Sequence, residues 1–335
     1  MSEYEKLLNS CNLAIADAAM KCEAVFSGHD KAFVGISGGA DSDIVIDICE
    51  RVRKEQPIEL KYSFYNTGIE YDATKRHLDY LEQRYDVKIQ RLRALESVPV
   101  CCHKYGQPFA SKYISMMIQR LQKIGFDWDG SDSYDELWEK YGKCRSGLRW
   151  WTNDFGNTGR PCKFDIGYRR HLKEFMTENP PWFRISPKCC EYAKKRTAER
   201  SIRESGCDLS VIGIRKSEGG ARAIQNKCFD RGAHGEIDTY RPIFWFTDAD
   251  RIAYEELFGI VHSDCYTKWG FKRTGCVGCP FSRNLESDME TTEQFEPRIH
   301  KAACKVFADS YEYTRMFNEF KTQRKGKSRQ MKLKM

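Results

Sequence analysis

No stretch of this sequence approaches the run of about 18 apolar residues that a membrane-spanning helix needs, so no membrane anchor is expected. The first residues, Met1-Ser2-Glu3-Tyr4-Glu5-Lys6, are charged and hold no signal-type apolar stretch, and a cytoplasmic setting is expected. No internal repeat is visible, which argues against a solenoid or a propeller. Two familiar phosphate-binding patterns are also missing. There is no GxxxxGK[ST] loop and no GxGxxG fingerprint, so neither a Walker-type NTPase nor a classical dinucleotide-binding fold is indicated.

What is present is a chain of 335 residues, 41% of them hydrophobic, enough to bury one large α/β core with insertions or two domains. The net charge is +7, and the end of the chain, from Lys321 to Met335, is strongly basic. Such a segment either contacts nucleic acid phosphates or is a solvated terminus. Fifteen cysteines in a chain without a secretory signal point to metal or redox chemistry rather than to a disulfide framework.

The most informative run is Lys31-Ala32-Phe33-Val34-Gly35-Ile36-Ser37-Gly38-Gly39-Ala40-Asp41-Ser42. A short apolar strand enters a glycine turn, and a helical stripe of Ile44, Val45, Ile48, Cys49 and Val52 follows at once. Two glycines let the backbone approach a phosphate, and the free N–H groups and dipole at the helix start favour its charge. Ser37 and Ser42 can add hydroxyl donors, while Asp41 can order the loop, cap the helix or help to place Mg²⁺.

The rest of the first part alternates. A helix is expected over residues 2–28, strands over 32–36, 58–65 and 87–92, and helices to about 53 and 84 between them. That order implies a parallel sheet with right-handed crossovers, which binds ligands at the carboxyl ends of its strands. The Ser37 loop and the turn Asn66-Thr67-Gly68 both lie at such ends. A helix with a basic face is expected over 111–123. Residues 125–187 lose clear periodicity and hold several tryptophans, of which Trp150 and Trp151, with Arg145, Arg149 and Lys143 nearby, could stack nucleic acid bases or lie in a core. Alternation resumes with a helix at 190–205, a strand at 208–214, a helix at 248–258 and a final helical region at about 290–322.

Cys189 and Cys190 are adjacent, and Cys276-Val277-Gly278-Cys279 follows after 85 intervening residues. Four thiolates suit zinc or a [4Fe–4S] cluster, and a CC pair with a CxxC pair tilts the reading to iron–sulfur. Further cysteines, Cys101, Cys102, Cys144 and Cys162, lie beside basic residues that favour a thiolate and are candidates to carry sulfur.

These segments together resemble a known family. Ser37-Gly38-Gly39-Ala40-Asp41-Ser42 is similar to the SGGxDS loop of the PP-loop adenine nucleotide alpha hydrolases. Tyr65-Asn66-Thr67-Gly68, Gly213-Ile214-Arg215-Lys216-Ser217-Glu218 with Arg222, the stretch Tyr240–Asp250, and Arg273-Thr274-Gly275-Cys276 to Phe281 resemble the phosphoadenosine phosphosulfate (PAPS) reductase family and its iron–sulfur branch, the adenylyl sulfate reductases. The resemblance covers roughly residues 30–95 and 185–285. It implies a nucleotide site made of Ser37, Gly38, Gly39, Ala40, Asp41, Ser42, Asn66, Thr67, Gly68, Gly213 and Arg215. It implies a catalytic role for Asp41 and for Arg215 and Arg222, the two arginines having guanidinium forks that suit phosphate or sulfate, and a basic residue, Lys112, near the nucleotide. It implies a [4Fe–4S] cluster on Cys189, Cys190, Cys276 and Cys279.

Two departures separate the chain from sulfonucleotide reductases. No ECG-type cysteine tail is found; Cys304, the last cysteine, falls in a helical pattern. The loop is intact, as in ATP-cleaving members, some of which insert sulfur into nucleic acids. Ala40 stands where ATP users commonly have lysine, and Asp43 places a negative charge close to the proposed phosphates.

The expected architecture is therefore α/β: a parallel-sheet PP-loop domain with a cysteine-rich iron–sulfur region. Its expected parts are a nucleotide-binding half (1–124), an irregular insertion or substrate-facing subdomain (125–187), a PAPS reductase-like second half (188–290) and a C-terminal helix with a basic tail (291–335). The expected function is ATP-dependent activation and thiolation of a nucleic acid, with an electron or sulfur donor protein as partner. The alternative is reduction of adenylyl sulfate or PAPS to sulfite.

Overall fold

The computed structural model describes residues 2–130, 132–154, 164–219, 222, 224–233 and 237–333, with side chains up to 324 in the last segment. In chain order the elements are α1 (Glu3–Leu8), α2 (Leu13–Phe26), β1 (Lys31–Gly35), α3 (Ala40–Arg53), β2 (Glu59–Asn66), α4 (Asp72–Tyr85), β3 (Ile89–Arg93), α5 (Val98–Tyr105), α6 (Lys112–Gln122), α7 (Tyr134–Tyr141), α8 (Arg145–Thr152), α9 (Leu172–Glu178), α10 (Lys188–Cys190), α11 (Arg196–Glu204), β4 (Leu209–Ile212), β5 (Phe229–Asp230), β6 (Asp238–Tyr240), α12 (Asp248–Phe258), α13 (Asp264–Thr267), α14 (Leu285–Phe295), α15 (Pro297–Val306) and α16 (Ala308–Leu333). Among the described residues no helix is long and apolar enough to cross a membrane.

The chain divides into two compact units, each built from two segments. Unit 1 comprises Met1–Leu95 and Ala193–Val277; unit 2 comprises Glu96–Tyr192 and Gly278–Met335.

Unit 1 holds a six-stranded sheet in the order β3-β2-β1-β4-β6-β5. All its pairings are parallel except β5 with β6, so the expected α/β parallel sheet is what the chain forms. β1 sits inside the sheet with Ala32, Phe33 and Val34 buried, as an apolar strand with neighbours on both sides must be. Its last residue, Gly35, is level with Ser63 of β2 and Ile212 of β4. This register brings the loops that leave β1, β2 and β4 together at one end of the sheet.

The helices of unit 1 follow local rules. The stripe of α3, with Ile44, Val45, Ile48, Cys49 and Val52, is buried against the sheet core. α12 starts at Thr247, whose hydroxyl accepts the Asp250 N–H at 3.2 Å while the Asp250 carboxylate accepts the Thr247 N–H at 2.8 Å, and it stops at Gly259 with φ +59°. The single helix expected over 2–28 is two helices. Asn12 interrupts it because its side chain accepts the N–H groups of Ala14 and Ile15 and so starts a new helix.

Unit 2 has its own core, including Phe109, Ile118, Leu148, Trp150, Trp151, Phe175 and Tyr313. Residues 125–187, expected to be irregular, contain α7, α8 and α9. These are helices of only seven or eight residues, too short for a repeating stripe to stand out in the sequence. Trp150 and Trp151 are fully buried, so of the two alternatives the sequence left open they lie in a core.

Candidate nucleotide and thiol sites

At the end of β1 the Ile36 N–H still donates to the Ser63 carbonyl at 2.8 Å, and the chain then turns at Gly38, φ +69°. That conformation is strained for any residue with a side chain, and a Cβ here would lie 2.5 Å from Thr74 Cγ2. Gly39 caps α3. Its N–H points at the Ser42 hydroxyl at 3.1 Å and the Ser37 hydroxyl at 3.3 Å, and the Ser42 hydroxyl donates to the Gly39 carbonyl at 2.7 Å. The two serines foreseen as donors therefore hold the loop, with their hydroxyls gathered over the helix start. The Ala40 N–H meets the Tyr266 hydroxyl, which also accepts the Thr274 N–H at 3.1 Å. Tyr266 was not singled out in the sequence, and Thr274 was quoted only within the segment that leads to Cys276; they lie near Gly39 because the segment after α12 folds back over α3.

Arg215, just past β4, joins this loop to α12. Its Nε donates to Asp41 Oδ1 at 2.8 Å, and its Nη1 donates to Asp248 Oδ1 at 2.8 Å and the Ser217 hydroxyl at 3.1 Å. Gly213 permits the approach, because a Cβ there would come within 3.3 Å of the Asp41 carbonyl. Burial raises the Asp41 carboxyl pKa above its ordinary value even though Arg215 opposes the rise. Asp41 is thus neither the cap of α3 nor free of partners. Arg222 is paired with Glu218, which also lies 3.7 Å from Arg273. Both arginines expected to clamp an anion already hold carboxylates, and their reach for a ligand is shared with those pairs.

The turn after β2 is built as its sequence suggests. Asn66 Oδ1 accepts the Gly68 N–H at 2.9 Å, and Gly68 has φ +87°. Thr67 is buried; its N–H donates to Glu70 Oε1 at 3.2 Å, and its hydroxyl lies 3.5 Å from the sulfur of Cys276. The Val277 N–H donates to the Ile69 carbonyl at 2.9 Å, so the turn and the start of the CxxC segment are fastened together within unit 1.

Asp43 has partners that the sequence did not reveal. Its side chain is completely buried, with Oδ2 2.7 Å from His262 Nδ1 and 3.0 Å from His77 Nε2. His262 Nε2 is 2.9 Å from Glu255 Oε1. Burial works against a charged ring here, but the carboxylates on its two nitrogens prevail and push the His262 pKa up to about 9. The Asp43 charge is therefore matched by an imidazolium rather than left beside the loop.

The thiols fall in both units. Cys276 belongs to unit 1, while Cys189, Cys190 and Cys279 belong to unit 2. Within unit 2, α5 packs on α10, and a backbone bridge sets their spacing. The Gln107 N–H donates to the Arg184 carbonyl at 2.8 Å, and the Ser186 N–H donates to the Gln107 carbonyl at 2.9 Å. The packing places the Cys102 thiol in hydrogen-bond contact with Cys189. That contact, with burial, holds the Cys189 thiol well above its usual range, although Cys190 opposes it. Burial likewise pushes Cys101 up to about 11. Gly278 has φ +62°, and a Cβ there would strike the Tyr311 hydroxyl, so the turn of the CxxC pair requires glycine. Cys304 lies on α15 as expected, half-buried, its sulfur 3.6 Å from His300 Nε2. Lys112 opens α6 in unit 2, and Cys162 lies outside the described residues.

Soft thiol donors fit a thiophilic metal or an iron–sulfur cluster by their chemistry. Among the described residues, however, no three His, Cys, Asp or Glu side chains surround one point as a bound ion would require. As they stand, the cysteines are hydrogen-bonded to one another and to neighbours.

Residues 164–282 match the family model of the phosphoadenosine phosphosulfate reductase domain. Solved structures similar to the chain include the phosphate complex of PAPS reductase from Candida auris, at 14% identity and a TM-score of 0.41, covering 82% of this chain and 91% of that one. A U34-tRNA thiolase from Methanococcus maripaludis with its [4Fe–4S] cluster matches at 14% identity and a TM-score of 0.38, covering 91% of this chain and 79% of that one. An FMN adenylyltransferase from Candida glabrata in complex with FMN and an ATP analogue matches at 9% identity and a TM-score of 0.41, covering 82% and 69%. No curated protein matches the sequence.

Proposed function

We propose, on the match of residues 164–282 to the phosphoadenosine phosphosulfate reductase domain, an enzyme of sulfur chemistry that binds an adenine nucleotide at the start of α3 and, with ATP, activates a nucleic acid for thiolation. The observation that carries this reading is the intact loop from Ser37 to Ser42, set at the strand ends of a parallel sheet with Gly39 at the helix start.

The nucleotide lies across Ser37, Gly38, Gly39, Ala40, Asp41 and Ser42, with Asn66, Thr67, Gly68, Gly213 and Arg215 around it. Its phosphates, with Mg²⁺ as counter-ion, meet the N–H groups and serine hydroxyls at the helix start. A substrate oxygen attacks the α-phosphorus, the α–β bond breaks, and pyrophosphate leaves. Sulfur from a donor protein then displaces AMP from the activated carbon. Asp41 and Arg215 keep the loop in register with α12, and Arg215 and Arg222 are the cations that would meet the developing charge. Cys189, Cys190, Cys276 and Cys279 are the residues that would hold a [4Fe–4S] cluster, which supplies thiophilic or electron-transfer chemistry when bound.

The test is release of AMP and pyrophosphate from α-labelled ATP, with and without a mixed small-RNA or DNA fraction. Release stimulated by nucleic acid, together with label-free sulfur incorporation read by mass spectrometry, supports the reading; its absence in both fractions overturns it. The reductase-domain match over residues 164–282 favours a second reading, reduction of adenylyl sulfate or PAPS. Sulfite release with a thiol reductant in the same preparation would select it.

A further inference from the structure

Asp43 lies in the first turn of α3, one residue beyond the proposed phosphate loop, and is 0% exposed. A carboxylate so placed has two costs. It needs a counter-charge to remain ionised away from water, and it adds negative charge beneath a helix start that is to receive phosphates. Its partners come from two other segments. His77 on α4 lies 3.0 Å from Oδ2, and His262, after α12, lies 2.7 Å from the same oxygen. Asp43 Oδ1 has no hydrogen-bond partner among the described residues. Behind His262 stands Glu255 of α12 at 2.9 Å, itself paired with Arg251. The other titratable groups around the pair are Tyr80, stacked on His77, Tyr85 at the end of α4, which feels the Asp43 charge, and Tyr266 of α13, whose ring centroid is 5.6 Å from that of His262. Asp264 of α13 faces Arg76 and Lys268 instead.

His262 therefore has a carboxylate oxygen within 3 Å of each ring nitrogen, hydrogen-bonded to Asp43 at Nδ1 and in ion-pair contact with Glu255 at Nε2, and two carboxylates so placed favour the ring protonated at both. The same short segment carries Tyr266, whose hydroxyl takes the Ala40 N–H at the helix start. One residue thus cancels the Asp43 charge and anchors the segment that touches the loop backbone.

We propose that His262 is a positioning residue for the nucleotide loop, its imidazolium neutralising Asp43 so that the first turn of α3 accepts phosphate. The proposal rests on the nucleotide reading above. Without the imidazolium, Asp43 is an uncompensated buried charge beside the anion, and the segment bearing Tyr266 loses its anchor. Removing the Asp43 charge as well removes the repulsion, so the two substitutions must couple.

The experiment is equilibrium binding of a fluorescent ATP analogue, with adenylyl sulfate as competitor, to the full chain and its His262→Gln, Asp43→Asn and doubly substituted forms, each checked by circular dichroism. At neutral pH, H262Q is expected to weaken binding about tenfold, with D43N close to the parent and the double form within about threefold of D43N, as a charge-compensation role requires. Parent affinity is expected to fall as pH rises through about 9, and the fall is expected to vanish in D43N, a comparison that stands even if H262Q does not fold. Equal binding by H262Q, a double form as weak as H262Q, or the same pH profile in D43N would each overturn the proposal. If the parent chain binds neither nucleotide, the nucleotide reading itself fails. Retention of binding with no coupling sinks only the role of His262.

Discussion

Arg215 Nε lies 2.8 Å from Asp41 Oδ1 and ties the second residue of α3 to a strand end that arrives 174 residues later in the chain. The pair is largely sheltered, and Asp248 on α12 takes a second nitrogen of the same guanidinium. Arg215→Ala is expected to cost about 2 kcal/mol of stability, because it leaves Asp41 without its counter-charge. Nucleotide affinity should fall with it. Arg215→Lys, which cannot reach both carboxylates in a fork, should recover less than half of the loss. Denaturant unfolding and nucleotide titration of the three proteins check this, and an unchanged midpoint in Arg215→Ala would contradict it.

Gly38 is the position where the loop tolerates least. With φ at +69° and Thr74 Cγ2 2.5 Å from the place a Cβ would take, Gly38→Ala is expected to destabilise unit 1 by about 1–3 kcal/mol. Thr74→Ala in the same chain should relieve the clash but not the backbone strain. A thermal melt of the single and double forms separates the two contributions, and full recovery by Thr74→Ala would show that strain plays no part.

The thiol chemistry has its own test. Anaerobically purified protein is expected to carry iron and sulfide, with a broad absorption near roughly 400 nm. Cys189→Ala and Cys276→Ala should both lose the metal, and Cys304→Ala should keep it. Cys102→Ala is expected to weaken metal retention without abolishing it, since its thiol contacts Cys189. Chelator-challenge kinetics with iron analysis read all four. Stoichiometric zinc in a colourless protein would exclude the cluster.

His262 also makes stability depend on pH. Its folded pKa, about 9, lies above the ordinary value of 6.5. The stabilisation is therefore fully present below about 6.5 and is lost as pH rises through 9. It amounts to on the order of 2–3 kcal/mol. Melting temperatures recorded from pH 6 to 10 should fall more steeply for the parent than for His262→Gln, and parallel curves would contradict this.

How much was legible in the sequence follows from the range of each interaction. The Ser37 loop, the Asn66 turn and the capped start of α12 are local: a glycine, an Asx turn or a Thr–Asp pair writes its own geometry within a few residues. The partners of Asp43, His77 and His262, were not legible because they lie on other elements, the second 219 residues away. Cys102 beside Cys189 is likewise a matter of α5 meeting α10, and only the repeated CC doublet hinted at it. Trp150 and Trp151 sit among basic residues in the sequence, yet α8 turns them into the core of unit 2, and flanking charge does not reveal which way a short helix faces.

The register of β1 between β2 and β4 has a consequence for synthesis. Ala32 pairs with Leu60 on one side but with Leu209 on the other, so one flank of this strand has no partner until the ribosome has added some 177 further residues. At cellular elongation rates that is roughly 10–35 s during which an apolar strand offers an open edge to other chains. All of unit 2 before residue 193 is made within that interval. The nascent chain thus has reason to require shielding, and overproduction is expected to yield aggregates that slower translation at low temperature reduces.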